Sequence, residues 1–204
     1  MALALKVVGG TWENASRDKR ELSVYKELGY EVAVVAKGNA SDRGRSEIID
    51  GFKVYRLTTR PLGAKAPDTF NRFLSIFYWA KFVRKLHPEV ISGHDLIPGL
   101  TISWLASLFT SKKTWLIYDS HEFEMGRNQE RSKIVKILIK WWEGFLLKKC
   151  AFAIMVNDTI ADAVKEIHKL RNKPISVRST PNNWKLNAKD SLVIRNELLR
   201  SFER

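Results

Sequence analysis

The chain has 204 residues, is 45% hydrophobic and carries a formal net charge of +13. That length supports one well-buried domain with the start of a second, and the positive charge calls for an anionic partner without choosing among nucleic acid, anionic lipid and phosphorylated substrate. The single cysteine, Cys150, excludes an intramolecular disulfide and makes a reducing cytoplasm the default expectation. Met1–Leu5 is too short for the apolar core of a signal peptide, and Lys6 interrupts it.

Strand-length apolar runs alternate with segments of helical period. Leu3–Val8 reads as a strand, and Gly9-Gly10-Thr11 follows as a turn. Ser16–Leu28 has helical character between a capping serine and a stop at Gly29. The valine-rich Tyr30–Lys37 is a second strand. Asn39–Asp50 is polar and punctuated by glycines, so it is expected to be a loop. Phe52–Thr59 alternates as a strand does, and Arg60–Pro67 is a second loop. Thr69–Leu86 places Phe70, Phe73, Leu74, Phe77, Phe82 and Val83 at helical spacing, and His87-Pro88 closes it.

"PEVISGHD" is the next strand and loop. The longest uncharged run, Leu96–Ser111, contains Pro98 and Gly99 and is too short to span a bilayer; it is expected to supply a buried helix over Pro98–Phe109. "TWLIYDSHE" is a strand, Ile134–Lys149 a helix, "AFAIMVND" a strand, Thr159–Leu170 a helix and "PISVRST" the last strand. After Pro181 the sequence turns polar, and a short amphipathic piece follows at Ser191–Phe202. This alternation predicts an α/β protein: a Rossmann-like, doubly wound, mainly parallel sheet of about seven strands with right-handed crossovers.

In such sheets ligands gather beyond the carboxyl ends of the strands. Gly9-Gly10, His94-Asp95, Asp119–Glu124 and Asn157-Asp158 all stand at strand exits, so they should share one cleft rim. Gly9 and Gly10 would let backbone N–H groups approach a phosphate at a helix start. They fit neither G-x-G-x-x-G nor the Walker A pattern, and a plain tight turn is an equal reading. His94 can orient a substrate hydroxyl or donate to a phosphate oxygen; the alternative is an imidazole satisfied by neighbouring backbone. Of Arg17, Asp18, Lys19 and Arg20, most are expected to be a solvated helix start, with room for one cation to face the cleft.

Asp119, His121 and Glu122 form the densest set. Strand alternation places Asp119 and His121 on one side. A metal site is not expected there, because metal ligands normally come from several elements and no H-E-x-x-H or second suitably spaced histidine exists. No G-x-S-x-G elbow is present. Cys150 lies beside Lys148 and Lys149, but its apolar neighbours favour a buried structural thiol.

Lys133, Lys136 and Lys140 line one helical stripe beside a wide apolar arc that includes Trp141 and Trp142. Two readings stand. One is a solvated stripe on a well-packed helix. The other is an interfacial helix, with lysines near anionic headgroups and tryptophans at the boundary. No helix-turn-helix, zinc pattern or RNP motif accompanies the charge, so specific nucleic-acid binding is not expected.

Five stretches carry a resemblance. "DKRELSVYKELGYEVAVVA", "IIDGFKVYRL", "VISGHDL", "LIYDSHEFE" and "WEGFLLKKCAFAIMVNDTIADAVKE", in that order, resemble the N-terminal domain of a family 4 glycosyltransferase of GT-B architecture. The resemblance implies an acceptor-binding Rossmann-like domain over residues 1–181 and a linker with a curtailed start of a donor-binding domain over residues 182–204. It implies a retaining enzyme that moves a sugar from a nucleotide diphosphate to a glycan or lipid-linked acceptor, with no cofactor beyond that donor.

Carried over, Gly9 and Gly10 would approach the donor phosphates and His94 would lie at the reaction centre. Asp95, Asp119, His121 and Glu122 would line or support the substrate. The chain departs from the family in ending before the donor half with its E-x7-E element, and in having Ser179 where relatives often have asparagine. It is therefore expected to be either a truncated reading frame or one subunit of a split transferase whose partner supplies the donor-binding domain, in the cytoplasm or peripherally on the inner face of a membrane. The alternative is a non-catalytic, membrane-associated scaffold that recruits such a partner.

Overall fold

The computed structural model describes residues 1–12, 16–108, 113–126 and 132–178. The stretch around Ser179 and the expected linker and amphipathic piece at 182–204 lie outside the described residues. Eight strands form one sheet, in the order β3-β4-β2-β1-β5-β6-β7-β8. They are β1 (Leu3–Val7), β2 (Glu31–Lys37), β3 (Arg43–Ile49), β4 (Phe52–Leu57), β5 (Val90–His94), β6 (Trp115–Asp119), β7 (Phe152–Met155) and β8 (Ile175–Ser176). All neighbours pair in parallel except β3 and β4.

The central strands are apolar because helices cover them. Leu5, Val7, Val35, Leu57 and Ile91 pack against Trp79 and Val83 of helix α2 (Asp68–Lys85) and against Ile102 and Ala106 of helix α3 (Thr101–Ser107). On the opposite face, Val8, Val34 and Val54 meet Leu22 of helix α1 (Ser16–Glu27). Leu116, Tyr118 and Met155 pack under helices α4 (Lys133–Leu147) and α5 (Asp158–His168).

The expected loop at Asn39–Asp50 is a strand over most of its length. Asp50 (φ 51°) and Gly51 (φ 78°) are both left-handed, the two-residue turn that matches the twist of a hairpin. They fold β3 back antiparallel on β4. β3 is polar because it is an edge strand, and Gly44 sits at a register shift where a Cβ would strike the Phe82 ring. The sheet therefore has one strand more than expected. The long uncharged run begins as a wide, irregular turn over Asp95–Leu100 and continues as α3, whose Ile102 and Ala106 are buried. Among the described residues, no helix is long and apolar enough to cross a membrane.

Strand order fixes the place of the site. From β1 the chain moves to β2 on one side, and later enters β5 on the other side of β1. Order reverses between β1 and β5, and a crevice opens beyond their carboxyl ends.

Candidate active site

That crevice is a cavity of about 520 Å³. Gly9, Gly10, His94, Asp95 and His121 all line it, together with Arg17 and Asp18. Residues far apart in the chain thus converge on one sheet edge. Asp119 lies just beneath, almost fully buried, as the register partner of His94. Glu122 is exposed and does not line the cavity; its backbone carbonyl accepts a hydrogen bond from Ser120. Alternation past the end of β6 turns it away from the Asp119–His121 side.

The two glycines differ. A Cβ on Gly9 would lie 2.4 and 2.5 Å from the Pro98 ring, so that position is glycine because Pro98 packs against it. A Cβ on Gly10 would meet nothing within 4 Å among the described residues, while the Gly10 carbonyl accepts from the Lys37 N–H.

Beneath the cavity lies a charge network that periodicity and motif did not foretell. Lys6, in the middle of β1, has no solvent exposure. Its ammonium lies 3.0 Å from Asp18 and 2.7 Å from Asp119, pairs with Glu21, and donates to Ser92. Arg17 donates to Asp119 at 2.6 Å. Arg17 and Asp18 are therefore buried at the first turn of α1 rather than solvated, while Lys19 turns outward to pair with Asp50. A buried lysine in a central strand demands carboxylates, and α1 and β6 supply them.

The two histidines stand over this network with ring centroids 4.0 Å apart. His94 Nδ1 lies 3.0 and 3.1 Å from the two carboxylate oxygens of Asp18. His121 Nε2 lies 3.1 Å from Asp119 and 3.6 Å from Asp18. Burial works against a charged His121, but hydrogen bonds to Asp119 and Asp18 outweigh it and hold the imidazole up at about 9. Burial also opposes ionisation of Asp18 and Asp119. For Asp18, hydrogen bonds from His121 and His94 and the charge of Lys6 prevail; for Asp119, Lys6 comes first, then His121 and Arg17. Both carboxyls are held well below their ordinary range. Lys6 is raised despite its burial by Glu21, Asp119 and Asp18. At neutral pH the cavity floor thus holds fixed charges of both signs, the cations Lys6, Arg17 and His121 against the carboxylates Asp18 and Asp119, with Arg17, Asp18 and His121 at the lining.

Asp18, His94, Asp119 and His121 offer ligand atoms that all lie within 4.8 Å of one another. The set does not suit a metal ion. The ammonium of Lys6 already stands between the two carboxylates, where a cation would have to neutralise them.

Cys150 is largely buried, donates to the Leu146 carbonyl, and its thiol is pushed up to about 12 by burial. On α4, Lys133, Lys136, Lys140 and Trp141 are exposed. Trp142 turns inward, edge-on to Trp104, with its indole N–H on Thr101 Oγ1 at 3.0 Å.

Fold and site together define an open α/β unit with a cavity at its switch point, lined by Arg17, Asp18 and two histidines. The glycosyltransferase family 4 profile matches residues 22–181, and the chain belongs to that family. Sucrose-phosphate synthase from Thermosynechococcus elongatus superimposes with a TM-score of 0.66 at 13% identity, over 96% of this chain and 53% of that one. A second chain of the same synthase gives a TM-score of 0.52 at 12% identity, over 99% of both chains. These identities speak for the fold, the Rossmann-like half of a GT-B enzyme. The chain spans about half the length of the first of these structures. No curated protein sequence matches it.

Proposed function

We propose that this chain is the acceptor-side half of a glycosyltransferase that passes a sugar from a nucleotide diphosphate to a glycan or lipid-linked acceptor. The observation that carries the reading is the cavity wall itself. Open main chain at Gly10, the start of α1, Arg17 and a protonated His121 converge on the same space as His94. Departure of a diphosphate builds negative charge, and preorganised cations in a partly dry site stabilise it. Among the described residues, one terminal nitrogen of Arg17 is buried without a hydrogen-bond partner, as a group awaiting an anion would be. Because these cations belong to the protein, the reading needs no cofactor besides the donor. A second, donor-binding domain or subunit closes the cleft in this reading, and Asp95 stands on the acceptor side.

An anionic membrane surface is the partner we assign to α4. Its first turns project from the body: Ile134 is 71%, Ile137 66%, Leu138 59% and Trp141 65% exposed. Apolar surface of this kind beside a lysine stripe fits an anionic bilayer on a protein of net charge +13. In this reading the chain sits peripherally on a cytoplasmic leaflet, which suits a lipid-linked acceptor. The same surface would equally serve a non-catalytic scaffold.

The test is a transfer assay on the full chain, with and without a candidate donor-binding partner. A panel of uridine, guanosine and adenosine diphosphate sugars is offered with membrane lipid extract or glycan acceptors, and release of nucleoside diphosphate is followed. His94→Ala should lower turnover by about 100-fold or more with little change in thermal stability. If no nucleotide sugar is bound or turned over in either setting, the scaffold reading takes its place.

A further inference from the structure

We propose that Asp18 and Lys6 are positioning residues which fix His94 as the tautomer protonated on Nδ1, leaving Nε2 as an acceptor for a hydroxyl group of a bound sugar. The identity of that hydroxyl rests on the glycosyltransferase reading; the tautomer does not.

Both carboxylate oxygens of Asp18 lie 3.0–3.1 Å from Nδ1. An ionised carboxylate can only accept, so Nδ1 must carry the proton. A neutral imidazole has one N–H, which leaves a lone pair on Nε2. Nε2 lies 3.6 Å from Asp95 Oδ2, beyond hydrogen-bond reach, on a side chain that lines the cavity. A lone pair facing another carboxylate oxygen finds no donor there. A sugar hydroxyl supplies one.

Lys6 makes the arrangement rigid. Asp18 has no exposure and sits at the start of α1, held on the other side by the Lys6 ammonium at 3.0 Å. That ammonium is in turn fixed by Ser92 on the adjacent β5 and by Asp119 at the end of β6, one strand further. The charge on Asp18 and the direction of its oxygens are thus set by the sheet. The charged and titratable groups around His94 are Asp18 and Arg17 from α1, Lys6 from β1, Asp95 beyond its own strand, and Asp119 and His121 from β6 and its exit. Of these, the His121 ring lies tilted against that of His94, with centroids 4.0 Å apart.

The roles divide accordingly. In the first step of any transfer through this cleft, Nε2 accepts the hydrogen bond of the hydroxyl and orients its oxygen. Should that hydroxyl attack the anomeric carbon of a nucleotide-diphosphate sugar, the bond from that carbon to the diphosphate breaks, the diphosphate leaves with the electron pair, and the hydroxyl proton passes to Nε2, with Asp18 stabilising the imidazolium that forms.

The experiment is nitrogen NMR on the full chain at pH 7.5, with histidine ring nitrogens correlated to ring protons, and needs no substrate. Signals of His94 are assigned by their loss in His94→Gln. Wild type is expected to show a protonated Nδ1 and an unprotonated Nε2. Asp18→Ala should move His94 toward the Nε2-protonated form, and Lys6→Met should weaken its preference in the same direction. Asp95→Asn should leave it unchanged. A protonated Nε2 in the wild-type protein overturns the proposal, whether or not the variants fold, as does a shift caused by Asp95→Asn alone.

In the transfer assay, Asp18→Ala should lower kcat by at least about tenfold with a smaller change in KM, and displace the acid limb of the pH profile. An unchanged kcat and profile would also overturn the positioning role. If the tautomer is as stated but no sugar is transferred, the dyad stands and the glycosyltransferase reading is the one that falls.

Discussion

Lys6 is fully buried in the middle of β1 and held by Asp18, Glu21 and Asp119, so removing one of these carboxylates leaves a buried charge short of its partners. His94, Asp119 and His121 were legible because an ionisable group that closes an apolar strand is rarely there for packing. Lys6 was not legible, since within a short apolar run it looks like an interruption. Its signal was its position: a lysine in a central parallel strand, buried on both faces, has to find carboxylates. Which carboxylates could not be read, because Asp18 and Asp119 reach it from elements far along the chain. The glycine pair was legible as a pair, but only the packing separates its members. Gly9→Ala should be destabilising by about 1–3 kcal/mol, because its methyl runs into the Pro98 ring. Gly10→Ala should change stability by less than about 0.5 kcal/mol, yet weaken nucleoside diphosphate binding by blocking approach to the main chain. Chemical denaturation and a diphosphate titration on both variants decide it; equal binding by wild type and Gly10→Ala removes that turn from the site.

At the level of elements, helices and central strands were legible from periodicity, and the edge of the sheet was not. Edge strands are made polar to prevent association, so β3 carries a loop-like composition. The Asp50-Gly51 pair was the available clue, a hairpin signal between two strands rather than the end of a loop. On α4, spacing revealed the wide apolar arc but could not say which tryptophan belongs to the core. The helix is anchored at its far end, where Glu143, Gly144, Leu146 and Leu147 are buried and Glu143 meets His168 of α5 at 2.9 Å. Its first turns are left to another phase. Ile137→Glu and Trp141→Glu should therefore each weaken binding to phosphatidylserine-containing vesicles by about tenfold, without loss of folding. Added salt should weaken the wild type as well, through the lysines. Equal sedimentation of wild type and both variants, or binding to neutral vesicles alone, rules out the assignment to anionic lipid.

For the whole molecule, the buried network ties global stability to pH, and the signs can be worked through group by group. Asp18 and Asp119 have folded values below the ordinary 3.8, so the stability they contribute is present above 3.8 and drains away as pH falls below it. His121 has a folded value near 9 against an ordinary 6.5. Its contribution, on the order of 3 kcal/mol, is complete below 6.5 and is lost as pH rises from there toward 9. Lys6 acts in the same sense as His121, but only above 10.5. The network therefore favours the folded state most between 3.8 and 6.5, the acidic side of neutral. That is unexpected for a chain with a large net positive charge, whose self-repulsion grows on acidification. The two effects can be separated with His121→Gln, which cannot titrate. Melting temperatures of the wild type should fall from pH 6.5 to 9, whereas those of His121→Gln should hold level or rise over the same interval. A wild-type melting temperature that rises steadily across that interval would mean that His121 is not the protonated member of the cavity wall, and the fixed positive charge assigned to the leaving diphosphate would then have to come from Arg17 alone.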